Sequence, residues 1–384
     1  MRLSKQLFTP DMKKPEDYDS RKTSSLLENG IFTYFINPGV PFYLPIGRKV
    51  LTKIQDVFLE EAEDLGIPHI EIPAIMRDEV LENGKEISDT FNKKIIRLKN
   101  SSLEGYHLLT TPEPAILDLA STSLYTHTQL PIRFVYNVDV IRGVQRPKGI
   151  LRGRQFKTFM GSSLDENRGS LEESLRLFEQ LSDNIFGRLG VAIHKRRNIL
   201  GINVEHFYFG REGDNLGMIE IDPNKRVKAL SLAMAYHYDS KKRVKARFRN
   251  KQNKNSQILY GTYGLGTQRA FYALFDSHRD ERGFNLPLEL APFYFSIISP
   301  HSKGHEEVER LYKTIRDKAL LDDRKNVLFG EKAAFSDYIG VPWKIIYGNG
   351  SYTLKSRDEL VSRVFNSTEE LAGYIERTYS PKKR

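Results

Sequence analysis

The chain has 384 residues, 39% of them hydrophobic and 28% charged, with a formal charge of +10. That is long enough for two domains with cores of their own, and the positive excess suits a polyanionic partner. No apolar run approaches the roughly 20 residues of a membrane helix. The absence of cysteine excludes disulfides, thiolate nucleophiles and cysteine-based zinc sites.

The N-terminal MRLSKQLFTPDMKKPEDYDS has no signal-type apolar segment and carries acids that a transit peptide avoids, so a cytoplasmic location, or an organellar matrix after processing, is expected. Further on, RKVLTKIQDVFLEEAEDL places Val50, Leu51, Ile54, Val57, Phe58 and Leu65 on one helical stripe, with Gly66 as its stop. IPHIEIPAI then reads as a strand ending at Pro73.

In LLTTPEPAI, Thr111 and Glu113 fall on one side of an extended segment, where the carboxylate would receive a substrate ammonium. The same letters also spell a helix start, with Thr as cap and Pro in the first turn. LPIRFVYNVDVI reads as a strand leading into IRGVQRPKGILRGRQF at 141–156. That basic stretch is either an exposed hairpin or a loop bent over the phosphates of one nucleotide, with Arg142 on a phosphate and Phe156 on the base.

Ser170 and Glu173 spell a capping box that opens a helix burying Leu171, Leu175, Phe178, Leu181 and Ile185. VEHFYFG and NSQILYGTYGLG read as strands. Between them Arg243, Lys245, Arg247 and Arg249 alternate with Val244, Ala246 and Phe248, so the cations share one face of a strand, as a solvated rim or as a nucleic-acid contact. Glycines at 261, 264 and 266 allow close approach of a flat ligand, and Arg269 lies one turn into the following helix. The spacing is not G-x-G-x-x-G, so a dinucleotide is not expected.

Strands and helices mix without regular alternation, which predicts an antiparallel α+β domain. Beyond Pro292 the pattern becomes that of a small α/β domain: FYFSIISP, a helix from about Lys303 to Lys318, VPWKIIYG, SYTLKS and a last helix near Thr368 to Glu376. The expected division is 1–290 and 291–384.

These segments, in this order, resemble the class II aminoacyl-tRNA synthetases, and in detail the bacterial-type prolyl-tRNA synthetases that lack an editing insertion. GVPFYLPIGRKVLTKI, in the motif 1 region 44–73, resembles that family's lead-in helix, and LTTPEPAI resembles its proline loop. Residues 135–160 resemble motif 2 and 258–278 motif 3, and LAPF resembles the start of the anticodon-binding domain, where LLDDR and DYIGVPWKIIYG match closely. The resemblance covers nearly the whole chain.

It implies a six- or seven-stranded antiparallel sheet with flanking helices, a C-terminal anticodon-binding α/β domain, a homodimer through 44–73, and no membrane partner. The implied activity is ATP- and Mg2+-dependent activation of proline and its transfer to tRNA, without zinc. Residue by residue it implies Arg142 on the α-phosphate and the substrate carboxylate, Phe156 on adenine, Arg269 towards the γ-phosphate and Arg154 in the ATP site. Thr111, Glu113 and Glu205 would hold proline. Asp323, Arg324 and Lys332, with the basic strand, would contact tRNA or another nucleic acid.

The chain also departs from the pattern. Val144 stands where motif 2 has a carboxylate that reads adenine, Gln155 replaces a glutamate, and Pro114 replaces a second pocket glutamate. KALSLAMAY is apolar from Leu230 to Met234 where the family has G-H-x-F. Two readings follow. Arg142, Phe156, Arg269, Thr111 and Glu113 together favour a divergent prolyl-tRNA synthetase. Val144, Pro114 and the basic strand favour a catalytically degenerate paralogue acting as a dimeric nucleic-acid-binding or accessory subunit, for example of an organellar DNA polymerase.

Overall fold

A computed structural model describes residues 1–6, 22–84, 91–99, 102–123, 126–197, 203–210, 217–222, 225–238, 246–299 and 305–379. Arg243, Val244, Lys245 and Lys303, all singled out above, lie outside the described residues.

Helix α1 (Thr23–Leu27) and the hairpin of β1 (Thr33–Asn37) and β2 (Val40–Tyr43) lead into the long helix α2 (Pro45–Asp64). As the periodicity requires, α2 buries Val50, Leu51, Ile54, Val57 and Phe58, and Gly66, at φ 69°, ends it. The expected strand at IPHIEIPAI does not form. Pro68 and Pro73 have no N–H to give a ladder, and the segment makes a single parallel bridge from His69 to Val135. Pairing begins later, between β3 (Ile75–Arg77) and β4 (Tyr106–Leu108).

Helix α3 (Glu113–Ser123) begins at the T-P-E letters. Strands β5 (Ile132–Ile141) and β6 (Gln155–Asp165) are the antiparallel arms of the arginine-rich loop. Helix α4 (Arg168–Leu189) buries the expected apolar stripe, but Asn167 is its cap, accepting from Ser170 N. The expected Ser170–Glu173 box is displaced because Ser170 Oγ donates to Asp165, which also takes the hydroxyls of Ser163 and Ser174. A fully buried carboxylate needs such donors.

Next come β7 (His194–Arg197), β8 (Val204–Tyr208), β9 (Gly217–Asp222), β10 (Lys225–Tyr238), the short hairpin of β11 (Arg247–Arg249) and β12 (Asn255–Gln257), and β13 (Leu259–Gly266). The main sheet runs β5-β6-β13-β10-β8-β7, with β9 paired to β10, and every pairing is antiparallel. Helix α5 (Thr267–Ser277) leaves β13 and is followed by the two-residue strands β14 (Arg279–Asp280) and β15 (Gly283–Phe284).

Helices α2, α4 and α5 cover one face of the sheet, Phe58, Phe178 and Phe271 packing in one core with Phe159 of β6. A smaller cluster containing Leu117, Tyr136, Phe248 and Tyr260 covers part of the other face. What remains open on that second face is the cleft described below.

A second sheet contains β16 (Phe295–Ile298), β17 (Ala319–Asp322), β18 (Trp343–Gly348), β19 (Ser351–Ser356) and β20 (Ser362–Phe365), in the order β17-β16-β18-β19-β20. Its first three strands are parallel and the rest antiparallel, with helices α6 (His305–Ile315), α7 (Phe329–Tyr338) and α8 (Thr368–Tyr379). Tyr338 of α7 packs on Phe32 and Phe284, joining this part to the first core. The architecture is the expected α+β class. No helix of the described residues is long and apolar enough to cross a membrane.

Candidate active site

The open face of the main sheet holds a cleft of about 420 Å³ whose walls come from α3, β5, β6, β10, β13, the start of α5 and the arginine-rich loop. At one end is Glu113, 1% exposed, in the first turn of α3. Thr111 Oγ1 donates to its Oε2, and Tyr236 Oη donates to its Oε1 at 3.3 Å. Hydrogen bonds to both oxygens compensate the burial of a carboxylate. The remaining lone pairs suit an ammonium or secondary ammonium ion.

The rest of the lining is rich in cations. Arg142 leaves β5 between two rings, its guanidinium carbon 4.5 Å from the Phe91 centroid and 5.2 Å from that of Phe156. Its Nε donates to Thr110 O at 3.0 Å. Lys94, Arg152 and Arg269 join it in the lining. Arg269 donates to two carbonyls, its Nη1 to Ser231 O at 2.8 Å and its Nε to Leu151 O at 3.4 Å.

Burial, with the nearby charges of Arg142 and Arg152, holds the Arg269 guanidinium below its ordinary pKa. Lys94 is lowered by the same causes in the same order. These shifts reflect burial first and then the like charges of Arg142 and Arg152, with Glu205 acting the other way on Arg269. Such a site repels itself until a polyanion enters.

Arg142, Phe156, Arg269, Thr111 and Glu113 are therefore brought together. Gly264 and Gly266 line the cleft, whereas Gly261 faces Ser163 and Leu171 on the helix side, because odd and even positions of a strand point to opposite faces. Arg154 is turned away from the cleft. Its Nε donates to Val144 O at 3.1 Å and its Nη1 to Pro38 O at 3.3 Å, and Arg152 occupies the lining instead. Glu205, on β8, is paired with Arg196 and is also outside the lining. Val144 lines the cleft with no acidic group, and Ser231 to Met234 form part of its wall.

Phe91, Lys94, Arg152 and Tyr236 were not expected at the site. Arg152 was visible as a cation in the loop, but the other three carry no local signal.

Elsewhere, Arg247 and Arg249 are exposed while Ala246 and Phe248 are buried, so the alternation holds where it is described. Asp323, Arg324 and Lys332 are tied inward. Asp323 accepts from Ser4 N and Oγ. Arg324 pairs with Asp322 and lies 4.6 Å from the Phe335 centroid, and Lys332 Nζ donates to Asp322 O. Among the described residues no group of three acids or histidines is arranged to hold a metal ion.

No family model matches the chain. Sequence relatives are nevertheless full-length. Proline–tRNA ligase of Wolbachia sp. subsp. Drosophila simulans is 24% identical over 410 aligned positions, covering 95% of each chain. That of Ehrlichia ruminantium is 27% identical, covering 91% of this chain and 92% of the relative. Among solved structures, Giardia lamblia prolyl-tRNA synthetase in complex with prolyl-adenylate superposes with a TM-score of 0.75 at 17% identity, covering 92% of this chain and 77% of that one. The Cryptosporidium parvum enzyme with halofuginone and AMPPNP gives 0.74 at 18%, covering 92% and 76%. Each of these proteins is a synthetase, and none favours the accessory-subunit reading.

Proposed function

From a chain that has the class II synthetase fold and is related to proline–tRNA ligases over nearly its whole length, we propose an enzyme that activates proline with ATP and transfers it to tRNA. The observation that carries this reading is a cleft of about 420 Å³ whose lining combines the buried carboxylate of Glu113 with five cations, Lys94, Arg142, Arg152, Lys157 and Arg269.

In this reading Glu113 and Thr111 receive the proline ammonium, and Arg142 aligns the substrate carboxylate with the α-phosphate. A carboxylate oxygen attacks the α-phosphorus, the bond to the bridging oxygen breaks, and pyrophosphate leaves with both electrons of that bond. Lys94, Arg152 and Arg269 offset the charge that develops on the phosphates. The tRNA terminal ribose hydroxyl then attacks the prolyl carbonyl, loses its proton, and releases AMP. Positioning and fixed charge do most of the work in such a transfer.

Phe156 offers a ring for the adenine. Val144 provides no carboxylate for the adenine amino group, which leaves that contact to the backbone of the loop. The cleft residues do not form a magnesium cage, since the one lining carboxylate is already engaged by Thr111 and Tyr236. Magnesium suits this site only as a companion of the triphosphate, and no step above is routed through it.

The exposed cations Arg247 and Arg249 supply a surface for the tRNA backbone. A homodimer through 44–73 and a division of the chain at 290/291 complete the reading. Proline-dependent exchange of pyrophosphate into ATP tests it directly. Exchange that proline does not stimulate would refute it.

A further inference from the structure

Glu28 lies outside the cleft but holds one of its walls. It follows α1 directly, and its Oε1 accepts a 2.8 Å hydrogen bond from the backbone N–H of Ile150. Ile150 is the middle residue of the tight turn Gly149–Leu151, and Ile150, Leu151, Arg152 and Gly153 all line the cleft. Position 149 favours glycine. Its φ is 46°, and a Cβ would overlap the Glu28 carboxylate.

The other end of α1 is tied to α5. Thr23 Oγ1 donates to Asp276 Oδ1 at 2.6 Å, with both residues fully buried, and Tyr208 Oη donates to Asp276 Oδ2 at 2.9 Å. Helix α5 carries Arg269, whose Nε returns to Leu151 O. So α1 brackets two walls of the cleft, the turn beside Arg152 through Glu28 and the helix of Arg269 through Thr23. A further tie reaches α7 of the second sheet: Tyr338 Oη donates to Leu26 O, and Asn29 Nδ2 donates to Tyr338 Oη, both at 2.8 Å.

We infer that Glu28 is a positioning residue, keeping the 149–153 wall at the separation from α5 at which Arg152 and Arg269 meet the phosphates of one nucleotide. The inference rests on the cleft being an ATP site. It is selective, because Glu113 sits in α3, Thr111 just before it and Tyr236 in β10, whereas Glu28 holds the 149–151 turn. Loss of Glu28 therefore weakens the nucleotide end and spares the amino-acid end.

The test compares wild type with Glu28→Ala, Glu28→Gln, Gly149→Ala and the Glu28→Ala/Gly149→Ala pair in proline-dependent pyrophosphate exchange. Glu28→Ala is expected to raise the KM for ATP by about tenfold or more while the KM for proline moves by less than about threefold, the scale of effect that displacing a positioned group produces. Glu28→Gln keeps an acceptor for Ile150 N–H and stays near wild type. Gly149→Ala is damaging alone and costs less in the Glu28→Ala background, because the clash with the removed side chain is gone while the strain of a positive φ remains.

Equal KM values for ATP in wild type and Glu28→Ala, or a parallel rise for ATP and proline, overturn the inference. If wild type itself shows no exchange, the ATP-site reading is what has failed. Amide hydrogen exchange over 149–153 and ATP binding by calorimetry then still decide the role of Glu28. Faster exchange and weaker binding in Glu28→Ala support it, and unchanged values reject it.

Discussion

Replacing His206 by phenylalanine should flatten the acid side of the protein's stability profile. His206 sits on β8 with 0% exposure, and neither ring nitrogen has a hydrogen-bond partner. Asp183 Oδ1 is 3.9 Å from its Nε2, and Glu179, Lys195 and Arg197 also act on it. Burial dominates and lowers its pKa from 6.5 to about 4.

The folded protein therefore binds this proton less tightly than the unfolded chain, so protonation favours unfolding. The stability that neutral His206 permits is complete above pH 6.5 and is lost as the pH falls towards 4. At pH 5 the loss relative to pH 8 is about 2 kcal/mol, a large part of the roughly 5–15 kcal/mol that holds a typical domain together. Urea unfolding at pH 8, 6 and 5 measures it. The drop in unfolding free energy between pH 8 and pH 5 should be smaller by about 2 kcal/mol in His206→Phe than in wild type. His107, whose pKa is also lowered by burial, is present in both proteins and cancels. Equal drops in the two proteins would refute the assignment of His206 as a buried neutral base.

Three further outcomes are expected. Glu113→Gln removes the only lining carboxylate among the described residues, and kcat/KM for proline should fall by about 2–4 kcal/mol, or roughly 30- to 1000-fold, in pyrophosphate exchange; activity within threefold of wild type would remove Glu113 from the amino-acid site. Arg152→Ala should raise the KM for ATP while Arg154→Ala leaves it nearly unchanged, because of the two Arg152 alone lines the cleft; the reverse order would refute the assignment of Arg152 to the nucleotide. Arg247→Ala with Arg249→Ala should weaken tRNA binding and reduce its salt slope by about one to two, with the melting temperature unchanged, as filter binding across a salt series would show.

Local spacing made much of this protein legible before any coordinates. The stripe from Val50 to Phe58 had to be a helix face, and the alternation of Arg247, Phe248 and Arg249 had to put cations outside and the ring inside. The order of the T-P-E letters, the arginine loop and the glycine-rich strand before Arg269 carried the resemblance to class II synthetases, and it was the resemblance that implied one site. Each of these features repeats with the period of a helix or strand, or follows chain order, and such information lies along a single segment.

What faces what was decided only by the tertiary fold. Glu113 meets Tyr236 across 123 positions, and Glu28 meets Ile150 across 122; no periodicity encodes either contact. Arg152 and Arg154 look alike in sequence, but the tight turn at Gly149–Leu151 sends the first into the cleft and the second to Pro38 O. Asn167 displaced the capping box because buried Asp165 needed the Ser170 hydroxyl. The chain's own order thus specified which segments build the site, while packing between distant segments decided which of their side chains reach it.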